Sequence, residues 1–145
     1  MTFDPDLLLA RLRRALAEGP PLRLAILFGS AARGTLHAES DVDVGIIPRD
    51  AGLPWDEESD LQVRLTRACG RAVDLVRLDR ASTLLRWEAA RTAVRLLAEP
   101  LSEHPRFIAV AAIEHADLMT SLGPAAERFR QRLAARAGAG GSATR

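Results

Sequence analysis

The stretch Leu27-Phe28-Gly29-Ser30-Ala31-Ala32-Arg33-Gly34, followed after a short polar segment by Ser40-Asp41-Val42-Asp43-Val44-Gly45-Ile46-Ile47, decides how this chain folds. Residues 22–28 are an apolar run directly after Gly19-Pro20-Pro21. The run is too short for a helix and reads as a buried strand that stops at Gly29. Ser30-Ala31-Ala32-Arg33 then reads as a single helical turn, with Ser30 as N-cap and Gly34 as terminator. In residues 41–47, alternation sets Asp41 and Asp43 on one face of a second strand and Val42, Val44 and Ile46 on the other, before Pro48 ends it.

Reading outward, residues 54–69 are acidic at their start and carry arginines towards their end, which suits a helix aligned with its own dipole and closed by Gly70. Residues 72–78 read as a third strand, with Val73 and Leu75 on one side and Asp74 on the other. Upstream, Asp4-Pro5 followed by Leu7, Leu8, Leu9, Leu12 and Leu16 predicts a capped amphipathic helix ending at Gly19-Pro20-Pro21. Downstream, Leu84, Leu85, Trp87, Ala90, Val94 and Leu97 recur at helical spacing and predict a helix over 82–97, ended by Glu99-Pro100. A further helix is predicted from Ser102 towards Leu122, broken at Gly123-Pro124 and resuming to about Arg136. The expected fold class is α+β, a small mixed sheet of about three to four strands flanked by helices. We expect one domain over 1–136, with a catalytic core at 1–98, a C-terminal helical segment at 102–136 and a flexible tail at 137–145.

Composition narrows the functions open to such a domain. The chain has 145 residues, 48% of them hydrophobic and 27% charged, enough to bury a core and inconsistent with disorder throughout. Its net charge of +1 lacks the basic excess of a protein that grips nucleic acid through phosphates. All 20 basic residues are arginine, so lysine-nucleophile and Schiff-base chemistry are unavailable. The one cysteine, Cys69, forms no intramolecular disulfide and reads as a core thiol, in keeping with a cytoplasmic protein. Neither a signal peptide nor a membrane span is expected.

Each part of the Gly-Ser, Asp-x-Asp and Asp74 pattern has an ordinary reading by itself. Gly-Ser after a strand is commonly a turn with a helix cap, and Asp-x-Asp is commonly a solvated strand edge. A carboxylate between Val73 and Leu75 is costlier to explain without a cation to satisfy it. Gly-Ser, ten residues and Asp-x-Asp arise together by chance in roughly a few in a thousand chains of this length. Asp41 and Asp43 stand about 6 to 7 Å apart at Cα and can bracket metal ions jointly. Magnesium takes one or two protein carboxylates and completes its shell with phosphate oxygens, so a nucleoside triphosphate is the natural co-ligand. Gly29 lets backbone approach phosphates, and Ser30 offers a hydroxyl and amides at a helix start. Asp74 would complete the site for a second metal and act as base on an attacking hydroxyl, giving in-line attack on the α-phosphate with pyrophosphate leaving.

These motifs, with Val73-Asp74-Leu75-Val76, resemble those of minimal nucleotidyltransferases of the DNA polymerase β-like superfamily, over most of the chain. Within it, the similarity is greatest to the MNT antitoxins of HEPN/MNT toxin–antitoxin pairs. The resemblance implies an enzyme that transfers AMP from ATP, with Mg2+, to a tyrosine of a HEPN ribonuclease toxin and associates with that toxin. It implies Asp41, Asp43 and Asp74 as catalytic and metal-binding residues and Gly29, Ser30 and Arg33 as nucleotide-binding residues. The chain has no tyrosine, so a tyrosine acceptor must come on a partner. Two other functions stay open, an antitoxin that acts by occlusion without catalysis and a small-molecule nucleotidyltransferase of the aminoglycoside-modifying kind. A second large domain for gripping a small acceptor is not expected in a chain of this length, which counts modestly against the latter, and the near-neutral charge offers no nucleic-acid-binding module of the kind polymerases need.

Arg33 could reach a phosphate or pair with a carboxylate near the loop. His37 reads as a solvated loop residue, and His104 and His115 lack metal-ligand spacing. Trp55 and Trp87 read as packing residues. Phe107, Val110, Ala111, Leu118, Met119 and Leu122 form one stripe that should be mostly core, with any residual apolar patch serving a partner.

Overall fold

A computed structural model describes residues 4–34 and 41–143, with side chains in the last helix described as far as residue 138. The elements run α1 (Pro5–Ala17), β1 (Leu22–Phe28), α2 (Ser30–Arg33), β2 (Val42–Pro48), α3 (Trp55–Cys69), β3 (Val73–Arg77), α4 (Thr83–Thr92), β4 (Val94–Ala98) and α5 (Glu103–Ala143). The four strands form one mixed sheet in the order β3-β2-β1-β4. β1 is antiparallel to both β2 and β4, whereas β2 and β3 run parallel across the α3 connection.

β1 lies inside the sheet with helices on both faces, and this is why its sequence is almost unbroken apolar. Its Ala25 and Leu27 join Val42, Val44, Ile46 and Val73 against Leu8, Leu12 and Leu16 of α1 and Leu61 and Leu65 of α3. Its Leu24, Ile26 and Phe28 face the opposite way, onto Ala89 and Ala90 of α4 and Phe107 and Ala111 of α5. The Asp4 carboxylate caps α1, accepting from the amides of Asp6 at 3.0 Å and Leu7 at 3.3 Å. Ser82 caps α4 through the amide of Leu85 at 3.2 Å.

Side chains also occupy the outer rims of the sheet. On β3, the Val73 carbonyl accepts from Gln62 Nε2 at 2.9 Å and its amide donates to Thr66 Oγ1 at 3.2 Å. On β4, Arg13 of α1 donates to the carbonyls of Arg95 at 2.8 Å and Leu96 at 3.3 Å.

Several expectations need correction. The helix placed over 82–97 ends at Thr92, and Val94–Ala98 is the fourth strand, hydrogen-bonded along β1. Val94 and Leu97 fall at helical spacing only by coincidence, and the free edge of β1 outweighs the helical pattern. α5 is not broken at Gly123-Pro124 but runs on with Pro124 inside it, reaching Ala143 through the stretch expected as tail. Proline removes one backbone donor, and Leu118, Met119 and Leu122 before it and Ala125 and Ala126 after it have high helix propensity. Gly29, not Ser30, is the N-cap of α2, and Ser30 is its first residue. Trp55 is no packing residue: 79% of it is exposed at the start of α3. Cys69 is half-buried at the margin of the core.

At the far end of β3, Arg77 is the one buried charged residue among those described. It donates twice to Asp79, at 2.9 and 2.8 Å, and also reaches Glu58 at 3.4 Å and the Ala51 carbonyl at 3.3 Å. Burial raises the Asp79 pKa, but the hydrogen bonds and charge of Arg77 override it and leave the carboxyl below its usual range. Arg77→Met would strand two carboxylates that are about three-quarters buried, at a cost of about 2–4 kcal/mol. We expect Tm at pH 7 to fall by roughly 5–15 °C. Because the folded-state pKa of Asp79 is depressed, the difference between the two proteins should shrink as pH falls through that value, as thermal melts over acid pH would show.

Candidate active site

The site lies where β1 ends and β2 and β3 begin. Phe28 pairs with Asp43 across the antiparallel ladder, and Asp43 pairs with Asp74 in the parallel one. Val42 and Val73 turn into the α1/α3 core beside them, so strand alternation sends Asp43 and Asp74 together to the opposite face. Neighbouring strands are about 4.8 Å apart, which holds the two carboxylates side by side. Asp41 precedes β2, exposed, two residues before Asp43.

Gly29 closes the site on the β1 side. Its φ of +73° and ψ of −148° suit glycine, and a Cβ there would stand 2.4 Å from Asp43 Oδ2. Backbone therefore lies directly against a carboxylate, with no side chain between. The Gly29 amide donates to Thr92 Oγ1 at 3.0 Å, which ties the turn to the end of α4. Ser30 follows, half-buried, and its turn closes through Arg33 N–H to Gly29 C=O at 3.1 Å.

Burial, then the charge of Asp74, then that of Asp41, raise the pKa of Asp43 above its ordinary 3.8. Asp43 thus sits in a place that disfavours its own negative charge and would be relieved by a cation. Among the described residues, no three His, Cys, Asp or Glu side chains are gathered closely enough to hold a metal alone. The donor set nonetheless fits magnesium, which needs only one or two protein carboxylates when phosphate oxygens supply the rest.

The structure brings together Gly29, Ser30, Asp43 and Asp74, with Asp41 at the mouth. Arg33 is exposed and stands 3.9 Å from Glu88, which holds Arg91 more closely at 3.1 Å. His37 lies outside the described residues. His115 stacks on Trp87 at 4.8 Å, and burial and Arg95 lower the pKa of His104. Neither histidine belongs to the site. Sequence reading missed Thr92, because it lay within a helix expected to run on to 97, and Glu88, which gave no spacing signal.

Because the folded state raises the Asp43 pKa, ionising this group weakens folding, and stability falls as pH rises from 3.8 through the raised value. Asp43→Asn should therefore raise Tm at pH 7 in EDTA, by a few degrees at most since the group keeps solvent contact. Thermal melts should show the gain disappear below pH 3.8.

A model of the family described as Polymerase beta, Nucleotidyltransferase matches residues 11–100, which include all four strands and every residue of this site. The protein adenylyltransferase MntA of Shewanella oneidensis is 41% identical over 66 residues, 46% of this chain and 47% of that protein. The chain thus spans about half the length of this relative. A crystal structure of a toxin–antitoxin with AMP-PNP superposes with a TM-score of 0.74 at 25% identity, covering 84% of this chain and 98% of that one. A tri-AMPylated Shewanella oneidensis HEPN toxin in complex with MNT antitoxin gives a TM-score of 0.70 at 22% identity over 88% of this chain and 99% of that one, a likeness of fold alone. With its strands, its glycine turn and its paired aspartates all inside the matched region, the chain belongs to the polymerase beta nucleotidyltransferase family.

Proposed function

We propose that this chain is a magnesium-dependent protein adenylyltransferase, an antitoxin that moves AMP from ATP to a tyrosine of a HEPN ribonuclease toxin. The observation that carries this reading is the in-register pair Asp43 and Asp74 beside a turn that only glycine can make. The similarity to MntA, and to a toxin–antitoxin structure with AMP-PNP, supports the donor and the kind of partner.

In this reading Gly29 and Ser30 receive the terminal phosphates, the glycine by leaving backbone bare and the serine through its amide and hydroxyl. Thr92 fixes the glycine, so that the turn is formed before substrate arrives. Asp41, Asp43 and Asp74 would hold magnesium, which when bound neutralises phosphate charge and polarises the phosphorus–oxygen bonds under attack. Asp74, exposed at the edge strand, accepts the phenolic proton as the tyrosine oxygen bonds to the α-phosphorus. The bond from that phosphorus to the pyrophosphate oxygen breaks, and pyrophosphate leaves. Arg33 stands near enough to the turn to exchange Glu88 for a phosphate.

The test is incubation with labelled ATP, magnesium and the cognate toxin. Label should move to the toxin, and chelation of magnesium should abolish the transfer. Asp41→Asn combined with Asp43→Asn should lower transfer at least about 100-fold, the effect of losing about 3 kcal/mol of charge stabilisation. A mutant that transfers no label yet fully neutralises the toxin would instead establish occlusion. Label on a soluble acceptor without protein would establish small-molecule modification. In the same assay Gly29→Ala should cost at least about tenfold, because its Cβ must displace the Asp43 carboxylate.

A further inference from the structure

α5 is 41 residues long, and its first half is packed. Phe107 and Ala111 are buried, His115 stacks on Trp87, and Glu114 pairs with Arg86 at 3.3 Å. Beyond Leu118 the hydrogen bond from Thr120 to Ala116 and the ion pair of Arg130 with Glu127 both lie within the helix itself. On this outer half Met119, Leu122, Phe129 and Leu133 are 40%, 43%, 57% and 48% exposed.

With Ala126, these residues recur at intervals of three, four, three and four. That period draws a narrow seam along one side of the helix, the pattern of helix-to-helix pairing and not the wide apolar face of a helix lying in a bilayer surface. At about 100° per residue, Arg130 flanks one side of the seam and Arg132 and Arg136 the other, while Glu127 and Pro124 fall on the back. Arg132 and Arg136 have no ion pair among the described residues. A second copy of this helix would bring arginines against arginines, whereas a helix with acidic flanks would complement them.

We infer that the outer half of α5 is a docking helix that receives an acidic-flanked, apolar-seamed helix of a partner protein. The inference rests on the proposed function only in that a protein acceptor must be held outside the catalytic core. The family match ends at residue 100, before this helix begins, so the holding surface is separate from the chemistry.

The test uses the full chain without nucleotide and two fluorescent three-heptad peptides with leucine at the seam, one with glutamate and one with lysine on its flanks. Anisotropy should show the acidic peptide binding at least tenfold more tightly than the basic one. Phe129→Glu with Leu133→Glu should weaken it at least tenfold with the circular dichroism spectrum unchanged, and Arg132→Glu with Arg136→Glu should reverse the preference. Equal binding of both peptides, or binding indifferent to these changes, would overturn the inference. So would self-association in sedimentation that Phe129→Glu abolishes, which would make a second copy the occupant, or co-pelleting with phosphatidylglycerol vesicles, which would make it a membrane. Peptide binding without AMP transfer would leave the docking helix standing and remove the proposed function; transfer without peptide binding would do the reverse.

Discussion

Everything at the site depends on two carboxylates of like charge being held next to each other by the backbone. The parallel register that pairs Asp43 with Asp74 leaves them no freedom to part without breaking the ladder. On the reverse of the same strands, Val42, Val44 and Val73 are anchored in the α1/α3 core, so a slip of one residue would carry aspartate into that core and valine out of it. The repulsion is thus contained by hydrophobic burial on the opposite face. The raised pKa of Asp43 reflects its burial first and this repulsion from Asp74 second.

Other parts of the fold act to keep that arrangement from relaxing. The Arg77 cluster fixes the far end of β3 to the α3 start and the preceding loop, where a frayed strand would lose register. Thr92 performs the matching service at the end of β1, holding Gly29 against Asp43. The elements within the family match therefore form a rigid frame for one small cluster of oxygens. α5 adds a second layer to the frame through Phe107 and Ala111 and then leaves it.

Much of this was legible in the sequence, and the reasons can be named. The strand at 22–28 stood out because a strand covered on both faces must be apolar throughout. Val42-Asp43-Val44 and Val73-Asp74-Leu75 were readable because a strand with one face in the core alternates, and the same alternation placed the aspartates correctly. What failed was local pattern overruled by distant contact. Residues 94–98 satisfy a helical stripe and a strand equally, and only the open edge of β1 decides between them. Gly123-Pro124 looked like a break because local propensity says so, yet helix continues on both sides. Trp55 reads as a packing residue, but 79% of it is exposed. Thr92 could not be found at all, since its importance lies in a hydrogen bond to a residue 63 positions away.

The capping of the sheet rims reaches beyond the catalytic cluster. An edge strand with free amides and carbonyls is a template on which another chain can add a strand, and such growth has no natural end. Here Gln62 and Thr66 satisfy Val73 on one rim, and Arg13 takes the carbonyls of Arg95 and Leu96 on the other. Each capped stretch shortens the bare rim on which another chain could lay a strand.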